Sequence, residues 1–72
     1  MLTTSMQKAI NNQINDEFNA AYLYLSMSAY CESIGFQGFA KWLRKQSAEE
    51  VEHAMRLIDY MNDQFSKEVL QQ

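Results

Sequence analysis

In this 72-residue chain there is no proline, and the only two glycines fall together in Gly35-Phe36-Gln37-Gly38. Proline and glycine are the residues that interrupt helices. Their absence elsewhere leaves two long segments rich in Ala, Leu, Met, Gln, Glu and Lys, all good helix formers. Glycine at the junction permits the left-handed backbone that ends one helix and turns the chain. Thr4-Ser5-Met6-Gln7 fits a capping box at the start of the first segment. The expected architecture is therefore all-α: a first helix over about 4–34, a second over about 37–65, and a frayed tail at 66–72. Residues 1–65 form a single antiparallel hairpin.

Each predicted helix carries an apolar stripe at spacings of three and four. In the first it runs through Met6, Ile10, Ile14, Glu17, Ala21, Tyr24, Ser28 and Cys31. In the second it runs through Phe36, Phe39, Leu43, Gln46, Glu50, His53 or Ala54, Leu57, and Tyr60 or Met61. A lone hairpin leaves such stripes half covered, and a chain this short buries little core without disulfides, metal or a partner. The single cysteine, Cys31, cannot close an internal disulfide and reads as a small buried apolar residue of a reducing compartment. Two hairpins face to face make a four-helix bundle, so a homodimer is expected. Between Phe18 and Cys31, 11 of 14 residues are apolar, which gives the first helix a second face to bury and points to a higher homo-oligomer.

The charge balance narrows the function. A net charge of −3 with no basic run argues against nucleic acid. The apolar stretch is too short and too polar for a membrane span, and no basic segment precedes it as in a secretory signal. The expectation is a soluble cytoplasmic protein.

Three residues break the stripes. Glu17, Glu50 and His53 stand where leucine or isoleucine belongs, and a buried carboxylate needs a partner or a cation. Glu50-Val51-Glu52-His53 is a Glu-x-x-His step, which places a carboxylate and an imidazole one turn apart on one helix face. Counted from the turn, Glu17 lies within roughly 4–9 Å of the depth of Glu50 and His53 at ~1.5 Å per residue. Doubling the hairpin supplies four glutamates and two histidines, the ligand set of di-metal carboxylate bundles. Two divalent cations would offset the four carboxylates, and mixed carboxylate and imidazole ligation suits Fe or Mn. In the expected site each ion takes Glu17 and His53 from one chain, while Glu50 from both chains bridges the ions. Tyr24, two turns beyond Glu17, either packs in the core or hydrogen-bonds a ligand carboxylate and donates an electron. Glu49 and Glu52 belong to the solvated face, and Arg44 and Arg56 pair with surface acids. The competing reading is a non-catalytic hairpin serving as a structural or oligomerisation module.

Residues 1–65 resemble the first two helices of a non-haem bacterial or archaeal ferritin. The likeness rests on Glu17, on Ala21-Tyr22-Leu23-Tyr24-Leu25-Ser26-Met27, on Gly35-Phe36-Gln37-Gly38-Phe39-Ala40 and on Ala48-Glu49-Glu50-Val51-Glu52-His53-Ala54. It implies a ferroxidase centre in which two Fe(II) ions are oxidised by dioxygen, for iron storage or detoxification. It further implies Glu17, Glu50 and His53 as ligands, Glu49 as a candidate accessory ligand and Tyr24 beside them. The ligands of a ferritin's second half are not in this sequence, so the expected complete site forms between two chains, with two Fe ions per dimer.

Overall fold

The computed structural model describes the backbone of residues 2–70 and the side chains of residues 2–66. It is an all-α hairpin of two helices, α1 over Thr4–Ser33 and α2 over Gln37–Leu70. Both helices and the turn fall where the distribution of glycine and proline places them. The far end differs: α2 continues through the segment expected to fray, as far as Leu70, because nothing in 66–70 interrupts a helix. Gln71 and Gln72, the end of that expected tail, lie outside the described residues.

The caps correct the expectation by one residue. Thr3, not Thr4, holds the extended N-cap backbone, and its Oγ1 accepts the Met6 N–H at 3.1 Å. Gln7 donates its side-chain amide to the Leu2 carbonyl at 3.4 Å, so the reciprocal half of a capping box is not made. At the other end Gly35 takes φ +88°, the Phe36 N–H reaches the Cys31 carbonyl at 2.8 Å, and the Gly35 N–H reaches Glu32 at 3.1 Å. This is a Schellman motif. Only Gly35 needs left-handed freedom, since Gly38 is already inside the first turn of α2.

The two helices meet along small residues. Ala21, Ser28 and Cys31 of α1 pack against Ala40, Leu43, Ser47 and Ala54 of α2, and all seven are buried. Two hydroxyls cross the seam in opposite directions. Ser28 Oγ donates to the Ala40 carbonyl at 2.6 Å, and Ser47 Oγ donates to the Ala21 carbonyl at 2.7 Å. Each satisfies a buried hydroxyl and ties one helix to the backbone of the other, so the two bonds fix how far α2 sits along α1. The expected stripe of α1 holds from Ile10 to Cys31, while Met6 is exposed. In α2 the structure chooses Ala54, which has no exposed surface, over His53, and Met61 over Tyr60. Phe36 and Phe39, expected in the stripe, are 62% and 58% exposed, Phe36 in the turn and Phe39 in the first turn of α2.

Candidate metal centre

The hairpin brings Glu17, Glu50 and His53 together. A ligand atom from each lies within 4.8 Å of the others, so the stagger left open by residue counting closes. Helix geometry accounts for the meeting. Ser47 is three residues before Glu50, and its carbonyl partner Ala21 is four after Glu17, so the seam bond sits one turn from both carboxylates. His53 follows Glu50 by three residues and shares its face, with Nδ1 3.8 Å from Glu50 Oε2 and 3.4 Å from Glu17 Oε2. The glutamate side chains are only 16% and 23% exposed, whereas the imidazole is 52% exposed and stands at the rim.

The two carboxyl groups shift each other in opposite directions. Glu17 is held below the ordinary carboxylate value, first by its hydrogen bond with Glu50, then by the Gln13 amide, with His53 adding to these against the effect of burial. Glu50 is pushed above it, first by the same hydrogen bond with Glu17, then by burial and the negative charges of Glu17 and Glu49, with His53 opposing. Glu50 is thus the more readily protonated member of the pair. Glu17 Oε1 accepts a hydrogen bond from Gln13 Nε2 at 2.9 Å. Glu17 Oε2 is buried without a conventional donor, facing His53 and Glu50. A carboxylate oxygen buried in that state fits a divalent cation, and so does the oxygen, oxygen and nitrogen donor set around it.

The remaining expected residues fall outside this trio. Tyr24 is half-buried and packs against the cluster of Cys31, Ala40 and Leu43, the first of its two expected roles. Glu49 is exposed and does not join the cluster, touching it only through its charge on Glu50. Glu52 pairs with Arg56 at 2.8 Å on the solvent side of α2. Gln13 was missed, although the signal was present: it precedes Glu17 by four residues, one helical turn on the same face.

A helical hairpin that sets a Glu from one helix beside a Glu-x-x-His from the other has the residue pattern found in each half of a di-metal carboxylate bundle. The family model for the ferritin-like domain matches residues 7–64. The chain therefore belongs to the ferritin-like domain family. It is 51% identical over 61 residues to a bacterial non-heme ferritin of Bacteroides fragilis, covering 85% of this chain and 38% of that protein. It is 43% identical over 70 residues to a probable bacterial non-heme ferritin-like protein of Haemophilus influenzae, covering 97% and 42%. An engineered closed form of the Archaeoglobus fulgidus ferritin superposes with a TM-score of 0.86 at 45% identity, covering 89% of this chain and 39% of that one. The chain thus spans about two fifths of the length of the relatives it matches.

Proposed function

We propose that this hairpin supplies one half of a di-iron ferroxidase centre, in which two Fe(II) ions are bound side by side and each loses one electron to dioxygen. The observation that carries the reading is the buried, unpaired Oε2 of Glu17, set among Glu50 and His53 with all three ligand atoms within 4.8 Å. Family membership and the non-heme ferritin relatives support iron over manganese in this reading. A second copy of the chain, laid over the seam, completes a four-helix bundle, with Glu17 and His53 on one ion and Glu50 bridging. The substrates are then Fe(II) and dioxygen, and the role is iron storage or detoxification.

The residues divide the work. Glu17 and His53 hold an ion at the edge of one chain. Glu50, the more readily protonated of the two carboxyls, would release its proton on binding a cation, which would couple metal entry to proton release. The helices preorganise the ligands, and the redox chemistry belongs to the iron.

Anaerobic titration with Fe(II), followed by air, tests the proposal. Two ions per pair of chains and a rise in near-ultraviolet absorbance on oxidation are expected, both lost in Glu50→Ala and His53→Ala. Binding and oxidation unchanged by those substitutions would overturn it. A melting temperature indifferent to any divalent ion would leave the non-catalytic module as the better account.

A further inference from the structure

The Glu17 carboxylate is asymmetric. Oε2 is the buried oxygen that faces His53 and Glu50, and Oε1 is taken by the Gln13 amide at 2.9 Å. Nothing covalent makes the two oxygens different. The terminal torsion of a glutamate is broad and roughly two-fold, so a free carboxylate turns and offers either oxygen, or both, to the site. A donor fixed one helical turn away removes that freedom. Gln13 and Glu17 share one row of α1, so the amide reaches the carboxylate with both backbones already fixed.

We infer that Gln13 is a positioning residue of the metal centre, holding Glu17 Oε1 so that Oε2 is presented to the ion as a single ligand atom. The inference rests on the di-metal reading of the trio and deepens it. An ion held through Oε2 alone leaves Oε1 as the acceptor of a neutral donor. A carboxylate free to turn can offer both oxygens, which would use a further coordination position on the ion. Gln13 thereby keeps a position open on the ion for water or an oxidant.

The contact is exposed in the hairpin, where a hydrogen bond of this kind contributes little to folding. Its value to the site does not depend on that contribution. Gln13 stands in the same row of α1 as Ala20 and Met27, at spacings of seven. Met27 lines an apolar groove with Tyr30, Cys31, Phe39 and Leu43. A second copy laid along this row, as proposed for the site, would cover Gln13 as well and exclude the water that competes for its amide.

Anaerobic binding of Co(II), followed by calorimetry and by its visible ligand-field bands, tests the assignment in the full chain. Gln13→Leu keeps the length and the helix preference but has no donor, and Gln13→Ala guards against a packing artefact. Both variants should bind Co(II) roughly tenfold more weakly. Their bands should change in intensity and position as the carboxylate changes its mode of ligation, while their metal-free melting temperatures stay at the wild-type value. Unchanged affinity and spectrum in both variants, with the wild type binding normally, would overturn the role of Gln13. Equal loss of affinity with an unchanged spectrum and a lowered metal-free melting temperature would also overturn it, because the residue would then be only structural. Failure of the wild-type chain to bind Co(II) strikes instead at the di-metal reading on which the inference rests.

Discussion

Glu17 and Glu50 shift each other's titration in opposite directions, and that shapes how the site responds to acid. Glu50 holds its proton above the ordinary carboxylate range, so an entering cation must displace it. Metal affinity is therefore expected to fall as pH drops through the raised value of Glu50, starting above the pH at which a free glutamate would protonate. The metal-free fold has the opposite preference for this group. A raised carboxyl lends stability below its folded value and loses it as pH rises through that value, while the lowered Glu17 lends stability that is lost on acidification. Glu50→Gln mimics the protonated partner. It should raise the metal-free melting temperature at neutral pH, leave it nearly unchanged in acid, and weaken Mn(II) or Co(II) binding. Melts in chelator with parallel titrations measure all three. The meeting of Glu17, Glu50 and His53 was legible in the sequence because charge interrupts an apolar stripe. The hydrogen bond from Gln13 and the opposed shifts of the two carboxyls were not, since both depend on the spacing of side-chain oxygens that only packing sets.

At the scale of the elements, the turn separates two glycines that look alike in the sequence. Gly35 has a left-handed backbone, so Gly35→Ala should cost about 1–2 kcal/mol. Gly38 is helical with open space where a Cβ would stand, so Gly38→Ala should gain about 0.5–1 kcal/mol. Denaturant unfolding of the two variants checks both signs. The helices themselves were legible because so few residues in the chain oppose them. Their caps were not, because Thr3, Thr4 and Ser5 all offer a hydroxyl and only the backbone decides which becomes the N-cap. Nor was the whole seam: the expected stripe takes Gln46, but its neighbour Ser47 is the buried residue and carries a cross-helix hydrogen bond. Small residues that let helices approach closely leave a weak hydrophobic signal, even where they set the packing.

As a whole molecule the hairpin is 57 Å long, 18 Å wide and 10 Å deep. Its radius of gyration is 16.5 Å, against about 11 Å for a compact chain of this length. Its accessible surface is 5543 Å², where a compact 8.4 kDa chain has about 4,600 Å². The excess is apolar: Tyr22, Leu23, Trp42, Phe39 and Phe65 are each more than half exposed. No helix among the described residues is long and apolar enough to cross a membrane, so lipid does not explain this surface through a spanning segment. A second copy does, as proposed for the site. The melting temperature of this chain should then rise with protein concentration, and its mass in solution should exceed one chain, which equilibrium sedimentation measures. A concentration-independent melt at monomer mass would contradict that expectation.

The paired serine bonds across the seam carry a consequence for inheritance between copies. Because Ser28 and Ser47 index the helices of one chain to each other, each ligand trio is assembled in cis, and nothing in a neighbour is needed to bring its members together. A lesion in one chain of a mixed assembly would leave its companion's trio in register, so damage to such a centre is expected to be graded by half rather than all-or-none.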